Sequence, residues 1–163
     1  MGVRSNSHQS VGGKQYFEDE VQFNGQLQGL KQEVYTAVDG ETLSAEKSGA
    51  LVILGTAIDV KLPTPELGLN YKFIFIADLS TTNATVTATS DGSTEKDLFT
   101  GTLDLATNGP VKNVDQGKLT FVQSKIKEGD FCEVTCIGTG TTDNDPTWHF
   151  YGASAHATGI TLG

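Results

Sequence analysis

The chain has 163 residues, a length that predicts one domain able to bury a sizeable core without disulfide bonds. Its formal net charge of −9 argues against a nucleic-acid binder, which needs a basic face, and against docking on an anionic membrane. Nineteen glycines, frequent threonines and short apolar runs favour an all-β fold over a helical one.

The N-terminal stretch is predicted to be an arm. Residues 1–15 are polar and lack the apolar segment of a signal peptide, so we expect cytosolic synthesis. In isolation such a stretch should be disordered, and it becomes ordered either on a partner surface or against its own domain. Residues 16–30 form either a hairpin around Asn24-Gly25 or an extended arm, and a helix over 27–35 is a third alternative. An extended arm would insert apolar anchors into a neighbour: Tyr16, Phe17, Val21 and Phe23.

Residues 43–76 are predicted to be the structural centre of the domain, with three strands and two tight connections. Leu51 to Leu54 form one apolar run, and residues 58–62 alternate between apolar and polar as in a strand with one wet face. Pro63 ends that strand because proline has no N–H to donate. Residues 71–76 are largely apolar on both faces, which predicts a strand that is central or covered on both sides.

The rest of the chain is typical of short strands separated by glycine turns. Gly101 is predicted to separate two strands, residues 108–110 to form a loop, and residues 138–146 to form a long hairpin loop. The pattern predicts an all-β fold: a β-sandwich or jelly-roll-like domain over 41–163, with an extended N-terminal arm over 1–40. The remaining predicted strands are 84–90, 98–99, 103–105, 118–123, 130–137, 148–152 and 160–162.

Cysteine and histidine residues offer a candidate zinc site that strand geometry argues against. Cys132 and Cys136 are four residues apart in a predicted strand, so their Cα atoms lie about 13 Å apart. A disulfide needs roughly 4.4–6.8 Å, and the same separation disfavours one zinc ion shared with His149 and His156. We therefore expect two small buried thiols and no metal. The acidic loops lack the spacing of an EF-hand and are predicted to be exposed contacts: Asp91, Asp143, Asn144 and Asp145.

Catalytic motifs are missing from the sequence. The glycine-rich residues 138–143 lack the Lys-Ser/Thr ending of a phosphate loop, and no G-x-S-x-G nucleophile elbow occurs. We therefore expect neither an enzyme nor a cofactor. Threonines at 85, 87 and 89, with Trp148 and Tyr151, could form a carbohydrate-binding face, although threonine is also ordinary strand chemistry.

A series of short motifs runs through residues 43–163. The first half contains, in order, Leu43-Ser44, Ser48-Gly49, Leu62-Pro63-Thr64-Pro65, Gly68-Leu69 and an aromatic strand at 71–75. The second half contains Gly129-Asp130, an acidic loop, Trp148, Gly152 and Gly159-Ile160-Thr161. Together they resemble a domain that recurs in tailed-phage virion proteins. The acidic loop differs from the compact Asp-Gly-x-x-Trp turn of that family.

Members of this family look like capsid decoration (cement) proteins, head fibres and tail-fibre modules. The resemblance implies a β-sandwich, often trimeric, that acts by adhesion and has no catalytic site. An arm on a compact domain favours capsid decoration. Such a homotrimer, made in the host cytoplasm, would bind the major capsid protein at capsomer junctions on the virion exterior and stabilise the shell. The alternative is a head- or tail-fibre module that presents residues 90–97 and 138–146 to a host receptor or glycan.

Overall fold

The computed structural model describes residues 31–88, 98–106, 109–138 and 146–163. The chain divides into two compact units, Met1–Lys31 and Gln32–Gly163, and all the described strands belong to the second. The second unit therefore begins before the predicted boundary at residue 41. Its first strand, Val34–Thr36, lies within the stretch predicted to be an arm.

The described part of the second unit is built almost entirely from short strands, as the sequence predicts, with one 3-10 turn at Ala45–Lys47. The three strands predicted between residues 43 and 76 are confirmed as β2, β3 and β4. In chain order the strands are β1 Val34–Thr36, β2 Leu51–Leu54, β3 Asp59–Lys61, β4 Asn70–Phe75, β5 Ala84–Thr87, β6 Leu98–Leu105, β7 Gly109–Gln116, β8 Lys118–Phe121, β9 Phe131–Cys136, β10 Pro146–Ser154 and β11 Ile160–Leu162.

Seven strands form a mixed sheet, the large sheet, in the order β1-β2-β4-β9-β10-β6-β7. Strands β1, β2 and β4 run parallel, and β9 lies antiparallel between β4 and β10. The predicted central position of β4 is therefore confirmed. Strand β3, which separates β2 from β4 in sequence, belongs to the other sheet.

The small sheet has four strands in the order β11-β8-β5-β3. Its inward side chains alternate as predicted, with Ala84 and Val86 buried and the intervening Thr85 half-buried. The buried side chains of the two sheets form one apolar cluster. In that cluster the ring of Phe75 on β4 lies 5.0 Å from the ring of Phe121 on β8, centroid to centroid.

Two predictions about the sixth and seventh strands are wrong. Gly101 does not separate two strands, because β6 continues through it in register with β10. The predicted loop at 108–110 is replaced in part by the start of β7 at Gly109. Proline at position 110 is tolerated there because β7 is the edge strand of the large sheet, where one side of the backbone needs no ladder partner.

A buried carboxylate fixes the turn before β9. Asp130 is almost fully buried, and its Oδ2 accepts hydrogen bonds from the Ser154 hydroxyl at 2.8 Å and the Lys127 N–H at 2.9 Å. Its Oδ1 accepts from the Ala155 N–H at 2.9 Å. Because several donors satisfy the carboxylate, its burial is compensated, and the turn is tied to the end of β10.

Candidate functional site

The residues predicted to make contacts all lie outside the described part of the chain. The predicted arm anchors and the predicted loop contacts are both affected, so their roles in binding stay predictions. The arm anchors are Tyr16, Phe17, Val21 and Phe23, and the loop contacts are Asp91, Asp143, Asn144 and Asp145.

The candidate zinc ligands do not come together. Cys132, Val134 and Cys136 share the buried face of β9, as the alternation predicts, whereas His149 on β10 is exposed on the opposite face. His156 lies in a turn, where its Nδ1 accepts a hydrogen bond from the Thr158 N–H at 3.2 Å. Among the described residues, no group of three histidine, cysteine or acidic side chains is placed to hold a metal ion.

Burial makes the Cys132 thiol a poor nucleophile. Desolvation, with a smaller contribution from the charge of Glu133, raises the pKa of this thiol well above its usual range. Reaction with disulfide or maleimide reagents requires the thiolate. We expect Cys132 to stay unmodified in the folded protein at neutral pH and to react once the protein is unfolded in urea. Mass spectrometry of the labelled protein checks this, and rapid labelling of native Cys132 would contradict it.

The candidate carbohydrate face is only partly available. Trp148 is fully buried, with its ring 6.3 Å from that of Tyr71, so it cannot stack on a ligand. Tyr151 is 43% exposed on the outer face of the large sheet. The Thr85 hydroxyl donates to Asp59 at 2.7 Å, which gives it a structural partner on the neighbouring strand.

The structure instead brings together an apolar surface that the sequence did not predict. On the outer face of the large sheet, Val34 pairs with Leu51 across β1 and β2, and Ile53 pairs with Ile74 across β2 and β4. Ile74 pairs in turn with Phe131 on β9. We call this set the outer patch: Val34, Leu51, Ile53, Ile74 and Phe131.

An ion pair lies beside Leu51 on the same face, because Lys72 pairs with Leu51 on β2 and with Glu133 on β9. Lys72 Nζ lies 2.6 Å from Glu133 Oε1 and 4.6 Å from the centroid of the Phe131 ring. The Phe131 ring lies 5.9 Å from that of Tyr151 on the next strand. An exposed ion pair contributes only about 0–1 kcal/mol to stability, so its main effect here is to leave the middle of the sheet face without net charge.

The outer patch was missed because its residues come from four strands whose order the sequence does not specify. One signal was present, since residues 51–54 are apolar on both faces and residues 71–76 are so except at Lys72. The inner face of each strand is buried as predicted. The outer face is only partly buried. Ile74 on β4 is half-buried, and Val34 on the neighbouring strand β1 is 60% exposed. A sequence pattern suited to burial on both faces, with one face left accessible, is typical of a binding surface.

The described residues therefore offer a partly exposed apolar face. Among them, no helix has the length and apolar character needed to span a membrane. No protein-family model matches the chain, and a search of curated proteins finds no match.

Proposed function

We propose that this chain is a virion structural protein that decorates a phage capsid. It binds the major capsid protein on the outer surface of the head, at capsomer junctions, and stabilises the shell. It acts as a homotrimer, works by adhesion rather than catalysis, and reaches the virion after synthesis in the host cytoplasm. The motif resemblance across residues 43–163 suggests this class of protein.

The outer patch is the observation that carries the proposal. Val34, Leu51, Ile53, Ile74 and Phe131 place aliphatic and aromatic groups side by side over four adjacent strands. Val34 is exposed and the other four side chains are half-buried, so the outer patch is a partly accessible apolar surface. An apolar surface patch with polar neighbours favours a protein partner. An acidic chain also suits an outer virion surface, since its charge repels free nucleic acid.

We infer that the two sheets pack as a β-sandwich of jelly-roll type. The contact between Phe75 on β4 and Phe121 on β8 supports this arrangement, because the two rings belong to different sheets. A sandwich leaves the outer face of each sheet available. The outer patch then faces a partner while the inner face holds the fold together.

The mechanism is stabilisation by mass action. A protein that binds the assembled shell but not its dissociated parts stabilises the shell by about 2.7 kcal/mol per site at a free concentration 100 times its Kd. Contacts that cross a capsomer junction resist separation of the capsomers. The arm would extend the contact beyond the domain to the shell or a neighbouring copy. Its aromatic residues Tyr16, Phe17 and Phe23 are the kind of side chain that dominates interface energy.

Deleting residues 1–25 tests the arm. We expect the truncated protein to keep its β fold, because every described strand begins after residue 33, and to lose saturable binding to capsids stripped of the native protein. Circular dichroism and co-sedimentation measure the two properties. A full-length variant with Tyr16, Phe17, Val21 and Phe23 changed to serine is the control for chain length. Undiminished capsid binding by the truncated protein would contradict the proposed role of the arm.

A head- or tail-fibre module is the second candidate function. Beside the outer patch, the exposed ring of Tyr151 lies in register with Glu133 and Thr102, and His149 lies in register with Thr135. An exposed aromatic ring among hydrogen-bonding side chains can bind a sugar. Binding of the isolated protein to host-envelope polysaccharide, abolished by Tyr151→Ser and absent towards stripped capsids, would favour this function over decoration.

A further inference from the structure

Strand β1 forms one edge of the large sheet as described, with β2 as its neighbour. The ladder with β2 runs from the carbonyl of Glu33, which accepts at 2.8 Å, to the N–H of Ala37, which donates at 3.0 Å. Residues 33, 35 and 37 therefore direct their backbone groups towards β2. Because these groups alternate in direction along a strand, the N–H and C=O groups of Val34 and Thr36 point away from the sheet.

Two other described edges are protected. An exposed edge can pair with a foreign strand, and proteins block it with proline, charged residues or a covering segment. Edge strand β3 is covered, because the Gly40 N–H donates to the Asp59 carbonyl at 2.8 Å and the Leu43 N–H to the Lys61 carbonyl at 2.9 Å. Edge strand β7 contains Pro110. Strand pairing is therefore restricted at both places.

The edge of β1 has neither proline nor charge. Val34, Thr36 and Val38 are exposed and β-branched, and such residues favour strands. The strand is also fixed by its half-buried tyrosine. The Tyr35 hydroxyl donates to Glu41, and an ammonium group lies 4.8 Å from the centroid of its ring. A partner that pairs with β1 would therefore meet an edge that is already ordered.

We propose that the edge of β1 accepts a strand from the partner protein. The strand is an extended segment with uncharged residues beside Val34 and Thr36, and a lysine or arginine at one end lies beside Asp39 and Glu41. Main-chain hydrogen bonds supply the affinity, and one face of the added strand continues the outer patch beyond Val34. This inference deepens the proposed function and rests on it, because the major capsid protein then donates the strand.

Two carboxylates just beyond β1 favour a basic end on the partner strand. Asp39 accepts from the Asp59 N–H at 2.9 Å, and Glu41 accepts from the Val38 N–H at 2.7 Å and from the Tyr35 hydroxyl. These donors are neutral, and neither carboxylate forms an ion pair within the described part of the chain. A carboxylate has about four acceptor sites, so each can also accept from a cation.

The same carboxylates disfavour the other possible occupants. The apolar anchors of the arm flank three consecutive acidic residues at 18–20, which pairing along β1 would bring towards Asp39 and Glu41. A second copy would bring the same two carboxylates and a further net charge of −9. Like charges placed side by side oppose association, whereas a basic segment is attracted. The partner is therefore a different chain.

Thr36→Pro tests the edge. Proline removes the N–H that faces away from the sheet and obstructs an added strand, whereas the bonds to β2 come from residues 33, 35 and 37. We expect the affinity for stripped capsids, measured by co-sedimentation, to fall at least 10-fold, while the urea midpoint changes little. Thr36→Val keeps the N–H and a β-branched side chain, so it is the control and should bind like the parent protein.

Amide hydrogen exchange of the parent protein gives a direct readout that requires no variant to fold. Exchange is measured in free and in capsid-bound protein by mass spectrometry of fragments that separate residues 33–38. We expect the amides of Val34 and Thr36 to exchange rapidly in the free protein and at least 10-fold more slowly on the capsid. The amides of Tyr35 and Ala37 should be slow in both states because they face β2.

Asp39→Asn tests the basic end of the partner strand. Asparagine keeps an oxygen for the Asp59 N–H and removes the charge. We expect about two- to fivefold weaker capsid binding and a smaller dependence on salt concentration. Glu66→Gln is the control, since it removes one charge from the exposed turn before β4. A salt dependence equal to that of the parent protein would overturn the basic residue assigned to the partner.

The outcomes separate this inference from the proposed function. Capsid binding without added protection at Val34 and Thr36, or undiminished binding by a folded Thr36→Pro protein, would overturn the inference and leave capsid decoration standing. Protection of both amides in the free protein would also overturn it, because the arm or a second copy would then occupy the edge. A parent protein that does not bind stripped capsids would overturn the proposed function itself and, with it, the capsid protein as donor of the strand.

Discussion

Gly101→Ala is expected to destabilise the fold by about 3 kcal/mol or more. We expect no other added methyl group to have a larger effect. A Cβ atom at this position would lie 1.9 Å from the carbonyl oxygen of Phe150 and 2.9 Å from its nitrogen. Both atoms are backbone, so no side-chain rotation relieves the clash. Strands β6 and β10 would have to separate at the point where Phe99 and Phe150 pack edge to face, with ring centroids 6.2 Å apart.

Urea unfolding followed by tryptophan fluorescence measures this effect, since Trp148 is buried on β10. Gly117→Ala is the matched control, because a Cβ at Gly117 meets nothing within 4 Å. We expect the control to unfold within about 1 kcal/mol of the parent protein. Equal unfolding midpoints for the two variants would show that β6 does not run as closely against β10 as described.

Ile74→Asp is expected to weaken capsid binding by at least 30-fold, equivalent to about 2 kcal/mol, while the fold is retained. Ile74 lies at the middle of the outer patch, between Ile53 and Phe131. Covering a carboxylate there with a capsid surface would remove its hydration without supplying a partner. Because the side chain is only half-buried in the free protein, the free energy of unfolding should fall much less than the binding energy.

Co-sedimentation with stripped capsids over a range of protein concentrations gives the affinity. Thr161→Asp is the control, since it adds one negative charge on the small sheet and leaves the outer patch intact. Ile74→Val is a second control, because it keeps an apolar side chain at this position. We expect it to bind capsids almost as tightly as the parent protein does. Tight binding by Ile74→Asp would mean that capsids contact another surface.

The strands could be predicted where apolar and polar residues alternate along the sequence and where a proline ends that alternation. Residues 58–62 alternate and are followed by Pro63, and the structure places β3 at Asp59–Lys61. The shared buried face of Cys132, Val134 and Cys136 also follows from the two-residue period of a strand. Trp148 and Phe150 on β10 obey the same rule, and both are buried. These features depend only on neighbours in sequence.

Features that depend on strand order were not predictable. Gly101 is predicted to be a break because glycine is disfavoured within strands, whereas the close approach of Phe150 from β10 requires a glycine there. Val34–Thr36 is predicted to belong to the arm, whereas its pairing with Leu51–Ile53 makes it strand β1 of the large sheet. The outer patch likewise exists only after β1, β2, β4 and β9 have become neighbours.

The position of β9 between β4 and β10 has a consequence for how the chain is made. One edge of β4 has no strand to pair with until residues 131–136 have left the ribosome. At roughly 5–20 residues per second, the emerging chain therefore carries an incomplete sheet for seconds. Pairings between such distant segments also close slowly, in milliseconds to seconds. The large sheet thus cannot be completed until most of the domain has been made, and we expect chaperone protection during translation to matter more for it than for a fold built from adjacent hairpins.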